Sequence, residues 1–471
     1  MSRTSATRRR SAAAGVLGAL LGGALLTLPA GGPGLQAVAV LDGAVPDVAG
    51  VTVVRRLPAV HMAVVRGDRA AMVRLAGARG VLGLAPDDGV QLAGHDERLR
   101  GGVLAAQELG GAAGRPGAGA GVRVAVVDTG VSDTAALDRA SGRLVDGVDT
   151  SGGSAPGPYE DGFGHGTFMA DLVAGGPFAG RVLGVAPAAT VVVVKVASAD
   201  GSTSLSRVAA GLDWIAAHRD RVDLANLSFS HERPSSAYGE DPLTRAVERV
   251  RDAGVAVVVV AGNHPGHVGD PGLDPFALTV GAADLGTERV ASFSGSGRVA
   301  GMHKPDVVAS GVGVLGLLPP DSVLARATGT AHLADGLFRG SGTSQSTAIT
   351  SGAAALLLVE HPEATPTQVT TSLRCAADPL PGQRDGAGLL RTTTSLCSGP
   401  NGEPLPGSAD PTGDGPGRSD GAASTWAAST WAASTWAAST WAASTWAAST
   451  WAASTWATSS WGPADSSGSA Q

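Results

Sequence analysis

Three short words, far apart in the chain, bring together residue types able to cut a peptide bond. They are Val124-Ala125-Val126-Val127-Asp128-Thr129-Gly130, then Gly164-His165-Gly166-Thr167, then Gly342-Thr343-Ser344. A serine hydroxyl is a poor nucleophile until a base takes its proton during attack. An imidazole titrates in the right range to do so, and can return the proton to a leaving amine. A carboxylate on the other ring nitrogen fixes the tautomer. Taken singly, Asp128 is a turn residue after a strand, and Ser344 is an ordinary helix cap. Taken as an ordered trio beside glycines, they read as orienting acid, base and nucleophile. Val257–Val260 followed by Ala261-Gly262-Asn263 adds a carboxamide at the end of an apolar run. The Asn263 side chain and the Ser344 backbone N–H are the donors such chemistry needs for its oxyanion.

The segments that carry these residues alternate between two patterns. Val122–Val127, Val191–Val196, Leu224–Phe229 and Val255–Val260 are short and apolar with little polar alternation, as strands covered on both faces of a parallel sheet require. Ser206–His218 holds Val208, Leu212 and Ile215 at helical spacing, Thr167–Gly175 starts a helix just after His165, and Ser344–Val359 reads as a buried helix. The fold class expected is α/β, a mostly parallel sheet with helices on both faces and reactive groups at the carboxyl ends of the strands. Ahead of it, residues 38–98 read as a small α+β unit, with strands at Val51–Val54, Val60–Val65, Gly80–Ala85 and Val90–Leu92 and a helix at Ala70–Ala76.

The chain has 471 residues and a formal charge of −7 without long runs, so composition gives no argument for a nucleic-acid partner. Residues 1–37 read as an export signal: Arg8-Arg9-Arg10, then an uncharged stretch from Ala12 to Ala30, with Ala30 or Ala37 as cleavage points. The alternative is an uncleaved membrane anchor. Only Cys375 and Cys397 are present, and in an exported chain they invite a disulfide, the alternative being two unpaired thiols. Residues 398–421 are a Pro/Gly/Ser/Asp linker, and residues 422–471 carry Ala-Ala-Ser-Thr-Trp repeats whose five-residue period makes no single apolar stripe. The tail reads either as a binding segment for a cell-wall surface or as a low-complexity spacer. His264, His267 and Asp270 stand three apart but read as solvent-exposed loop residues, so no metal is assigned to them.

In chain order and in its words the sequence resembles the subtilase family of secreted serine endopeptidases, over roughly residues 38–397. Gly184-Val185-Ala186-Pro187, Phe293-Ser294 and Lys304-Pro305-Asp306 fall where that family carries similar words. The resemblance implies a peptidase domain at 99–397 and a prodomain at 38–98. That prodomain would act as folding aid and inhibitor and be removed by self-cleavage between about Leu92 and Arg115. It further implies protein or peptide substrates laid as an added strand against Ala199–Thr203 and Ser228–Ser230, with Ser228, Phe229, Ser230 and Gly262 forming the specificity pocket. No cofactor is required for the chemistry; structural calcium is common in the family, but no dense acidic loop identifies a site. Four positions depart from the pattern. Ala348 and Ser310 stand where Pro is frequent, Phe168 where His is common, and Ser230 where Gly permits a closer backbone approach.

Overall fold

A computed structural model describes residues 34–92, 104–153, 157–231, 241–299, 302–327, 333, 336–380 and 386–397. Most of the expected export signal, the linker and the Trp-repeat tail lie outside the described residues.

The N-terminal unit comprises β1 (Leu35–Leu41), β2 (Val51–Leu57), β3 (Met62–Gly67), α1 (Arg69–Ala76), β4 (Val81–Pro86) and β5 (Gly89–Leu92). The first four strands form one antiparallel sheet in the order β2-β3-β1-β4. Strand alternation assigns Ala37, Ala39 and Leu41 to the α1 side, with Met72 and Leu75. Val38 and Val40 face the other way, into a core shared with the larger domain. β1 was not expected, and it begins at Leu35, within the segment 1–37 read as an export signal. Leu35, Gln36 and Ala37 pair with Gly67, Arg66 and Val65. Cleavage after Ala37 would cut a buried strand.

The larger domain is built on a sheet of eight strands. In chain order its elements are β6 (Arg123–Asp128), β7 (Leu144–Asp149), α2 (His165–Ala174), β8 (Thr190–Lys195), β9 (Thr203–Ser204), α3 (Leu205–Ala217), β10 (Leu224–Leu227), β11 (Phe229–Ser230), α4 (Pro242–Asp252), β12 (Ala256–Val260), β13 (Leu278–Asp284), β14 (Arg289–Val290), β15 (Val307–Ser310), α5 (Thr343–Glu360) and α6 (Pro366–Ala376). Its order is β14-β13-β12-β10-β6-β8-β7, with β15 also on β13. Every pairing is parallel except β13 with β14. β6 shows why these strands read as unbroken apolar runs: Val124 and Val126 pack with Met169, Leu172 and Ile349 of α2 and α5. Ala125 and Val127 pack with Leu212, Ile215 and Val247 of α3 and α4. Both faces are covered, as a parallel sheet demands.

The expected strand Leu224–Phe229 is interrupted at Ser228. Leu224–Leu227 is held between β6 and β12, whereas Phe229 and Ser230 leave the sheet and pair with β5 of the N-terminal unit. Among the described residues no helix is long and apolar enough to cross a membrane. Cys375 at the end of α6 is disulfide-bonded to Cys397.

Candidate active site

Asp128 is the last residue of β6 and His165 the first of α2, so strand end and helix start meet. Their approach depends on Gly166, where a Cβ would stand 2.1 Å from the Gly130 carbonyl oxygen and 3.0 Å from the Asp128 Cβ. The His165 Nδ1 lies 2.8 and 3.0 Å from the two Asp128 oxygens, and both side chains are buried. Burial by itself pulls the His165 pKa down. The charge and hydrogen bond of Asp128, joined by the charge of Asp161, outweigh that and leave it above the ordinary value. Asp128 also accepts from its neighbour's backbone, Thr129 N, at 2.8 Å. The other imidazole nitrogen, Nε2, is buried with no partner.

Ser344 is the second residue of α5, which packs against α2. The helix is capped by Gly342 at φ 148°, a conformation that a side chain disfavours. The Ser344 hydroxyl donates to the Ser228 carbonyl at 3.2 Å, so in this structure it is not hydrogen-bonded to the imidazole. First-turn N–H groups have no acceptor within their helix. That of Thr343 is taken by the Asn263 Oδ1 at 3.0 Å, and the Thr343 hydroxyl adds a second bond at 2.9 Å. Asn263 is thereby fixed by its oxygen, and its Nδ2 is buried without a partner. Amide oxygen toward the helix and amide nitrogen free is the orientation an oxyanion donor needs.

The four residues expected to line the specificity pocket are brought near this centre in different ways. Ser228 contributes its carbonyl to Ser344, while its hydroxyl accepts from Asn226 Nδ2 at 2.8 Å. Phe229 is fully buried and Ser230 nearly so. The Ser230 side chain lies against Gly269, where a Cβ would come within 3.0 Å of the Ser230 Cβ. Gly262 takes φ 86° and its carbonyl accepts from Gly295 N at 2.8 Å. Of the three loop residues read as solvent-exposed, His264 is exposed and His267 half-buried, but Asp270 corrects the reading. It is buried, its backbone pairs with that of His231, and burial with the charges of Asp241 and Asp274 pushes its pKa to about 8. Phe168 is buried with its ring close to Gly316, and Ala348 is buried within α5. Ser310 ends β15 with its hydroxyl buried and unpartnered. Among the described residues no group of three or more His, Cys, Asp or Glu converges to ligating distance, and no calcium position is assigned.

The two segments expected to flank a substrate strand flank a strand of this same chain. β5 lies between them as the middle strand of an antiparallel sheet. Val90 pairs with Thr203 and Gly89 with Ser204 on one side, Leu92 with Phe229 and Gln91 with Ser230 on the other. Val90 is buried, Gln91 exposed and Leu92 half-buried, so alternate side chains enter the larger domain. Polar contacts lock the units together: Ser206 donates from backbone and hydroxyl to Asp87, both at 2.7 Å. Asp213 accepts from Ala59 N at 2.6 Å and Val60 N at 3.1 Å.

Comparison with known proteins bears on the same region. The profile of the Subtilase family, peptidase S8, matches residues 119–395. The chain is 35% identical over 305 residues to Serine protease AprX of Bacillus subtilis (strain 168), covering 59% of this chain and 66% of that protein. It is 35% identical over 264 residues to Subtilisin Savinase of Lederbergia lenta, covering 56% of this chain and 85% of that one. Among solved structures, fervidolysin from Fervidobacterium pennivorans, a keratinolytic enzyme related to subtilisin, superposes with a TM-score of 0.59 at 23% identity. That match covers 78% of this chain and 61% of fervidolysin, and it carries the fold alone.

Proposed function

The chain belongs to the subtilase family, and from that premise we propose that it is a serine endopeptidase, exported and made as a self-processing zymogen. Ser344 Oγ attacks the scissile carbonyl carbon while its proton passes to the His165 Nε2. The imidazolium that forms is stabilised by Asp128 on the Nδ1 side. The tetrahedral oxyanion receives hydrogen bonds from the Ser344 backbone N–H and the Asn263 Nδ2. Collapse breaks the C–N bond, and His165 hands its proton to the departing amine. Water then repeats the sequence on the acyl-enzyme, with His165 again as base. The observation that carries this reading is the state of two buried nitrogens. His165 is held by Asp128 through one ring nitrogen and Asn263 by Thr343 through its oxygen, leaving Nε2 and Nδ2 buried without partners.

The position of β5 supports a zymogen. A strand added between β9 and β11 is how an extended peptide would be held, and residues 34–92 provide one from within the chain. In the antiparallel register Leu92 stands opposite Phe229, one residue from Ser228, whose carbonyl holds the Ser344 hydroxyl. We place the self-cleavage bond directly beyond Leu92, at the near end of the Leu92–Arg115 window, and the released unit as a product-like inhibitor. Ser344→Ala tests the peptidase reading and the self-cleavage. It should lose peptide hydrolysis by about 10⁶ in kcat, a magnitude taken from subtilisin, a member of this family. It should also accumulate precursor, whereas the wild type yields a new N-terminus within a few residues of Leu92 by mass spectrometry. Normal maturation of the inactive variant in a host without other exported proteases would refute self-processing.

The disulfide fits an oxidising destination. The Trp-repeat tail is proposed to hold the enzyme on cell-wall material through many weak ring contacts. Equal retention of the intact chain and a chain ending at residue 421 on isolated envelopes would leave only the spacer reading.

A further inference from the structure

A second buried carboxylate, four residues before His165, ties together the pieces of backbone that carry the acid and the base. Asp161 is 2% exposed and accepts five hydrogen bonds. Its Oδ1 takes the Thr129 hydroxyl at 2.8 Å, Gly164 N at 2.7 Å and Phe163 N at 3.1 Å. Its Oδ2 takes both the backbone N and the hydroxyl of Thr167 at 2.8 Å. Thr129 is the residue after Asp128, and its hydroxyl accepts from Gly166 N at 2.9 Å. Thr167 in turn accepts from Ser132 N at 3.1 Å, and the Asp161 backbone N–H donates to the Ser132 hydroxyl at 3.0 Å.

This arrangement replaces a missing cap. The cap residue of α2 is Gly164, which has no side chain to satisfy the first-turn donors. Two of those donors, on Gly166 and Thr167, are taken instead by Thr129 and Asp161. The helix that begins with His165 is therefore clamped to the residue that follows Asp128. One carboxylate spans the joint.

We propose that Asp161 is a positioning residue for catalysis, holding the Asp128 carboxylate and the His165 imidazole in the geometry that proton transfer requires. The proposal rests on the peptidase reading of the site. Asp161 touches neither substrate nor the reacting atoms; it acts through Thr129 and the first turn of α2. A displacement of about 1 Å in such a constellation is worth about 10² in rate. Of the charged groups facing His165, Asp128 comes from β6 and Asp161 from the loop before α2, and the charge of each favours the imidazolium.

The test uses the matured enzyme, with kcat expressed per site titrated by a fluorophosphonate. Asp161→Asn keeps the size of the side chain but turns an NH₂ group toward donors. Its kcat should fall about 10- to 100-fold with KM within threefold. Because an anion facing His165 is lost, the acid limb of its kcat/KM profile should move to lower pH. A merely structural role would lower the titratable fraction or the melting temperature and leave kcat per site and the acid limb unmoved; that outcome overturns the proposal. If Asp161→Asn does not accumulate as folded protein, Thr129→Val and Thr129→Ser decide the matter. Valine breaks both hydrogen bonds of the clamp and should reproduce the loss in kcat, while serine keeps both and should restore it. Equal activity of the two refutes the clamp. Wild-type protein and Ser344→Ala run alongside, so that an inactive wild type condemns the peptidase reading and not the role of Asp161.

Discussion

Asn263 has two ends with different jobs, which lets one position test the oxyanion assignment in two independent ways. Its Oδ1 accepts from Thr343 N at 3.0 Å and from the Thr343 hydroxyl at 2.9 Å, while its Nδ2 is buried and unpartnered. Asn263→Ala removes both ends. Loss of the donor should cost about 10²–10³ in kcat, or about 2.7–4 kcal/mol, with KM little changed; that magnitude was measured on a subtilisin, a relative of this chain. Loss of the acceptor leaves the Thr343 N–H without its partner, which should appear separately as a stability decrease of about 1–3 kcal/mol. Asn263→Asp keeps the acceptor and replaces the donor by an anionic oxygen facing the developing oxyanion. Two charges about 4 Å apart at an effective dielectric of about 20 repel by about 4 kcal/mol, an upper figure at a half-buried site. The aspartate variant should therefore be the more slowly reacting and the alanine variant the less stable. Each protein is matured by immobilised wild-type enzyme, and kcat, KM and melting temperature are measured on a chromogenic peptide anilide. An aspartate variant as fast as the alanine variant, or a loss confined to KM, would remove Asn263 from the oxyanion hole.

Val90 should anchor the inhibitory strand. It is 5% exposed among apolar residues of the larger domain, and Val90→Asp would bury an uncompensated carboxylate. Residues 34–92 carrying that change, added to mature enzyme, should inhibit at least about 100-fold more weakly than the unchanged unit; equal inhibition would mean that β5 does not occupy the substrate groove. Asp270 should make stability depend on pH. Its pKa of about 8, raised by burial and by Asp241 and Asp274, means that the folded state holds a proton which the unfolded state has released. Stability from this group is therefore greatest below about pH 4, falls as pH rises toward about 8, and is flat above. Asn at this position carries no such titration, so the melting temperature of wild type should fall relative to that of Asp270→Asn as pH rises across that window; a constant difference refutes the assignment.

The proposed reactive residues are easier to read in the sequence than the parts that place them. Asp128, His165 and Ser344 each stand at the junction of an apolar run with a glycine, because a strand end or helix start is where a side chain emerges from a covered sheet. The central strands are legible for the same reason: Val124 to Val127 must be apolar at every position, since α2 and α5 cover one face and α3 and α4 the other. β1 escapes notice because its seven residues, apolar but for Gln36, show no polar alternation and begin just after the Gly31-Gly32-Pro33-Gly34 stretch, where small residues read as a cleavage region. Asp161 escapes for a different reason. Its role is to accept five hydrogen bonds, and neither periodicity nor composition records where donors will converge. A signal was present nonetheless: a carboxylate four residues before His165, followed by a glycine where a helix cap belongs, leaves first-turn donors that some acceptor must satisfy.

β5 shows how strand character and strand placement part company. Val90–Leu92 reads as a strand from its residues, and the structure makes it one. Its partners are Thr203–Ser204 and Phe229–Ser230, two residues each, too short to show any alternation of their own. What places it is the surface behind it. The sheet of the N-terminal unit buries Val38, Val40, Val64 and Ala85 against α3 and α4, while Asp87 holds the first turn of α3 through Ser206. With that face docked, Gly89–Leu92 has only to continue from Asp87 to reach the gap between β9 and β11. The same contacts make occupancy of the groove a property of the docked unit as a whole. If the bond beyond Leu92 is cut as proposed, β5 would stay in place for as long as the Asp87–Ser206 and Asp213–Ala59 contacts and the shared core hold it there, and the site would open only when that unit leaves.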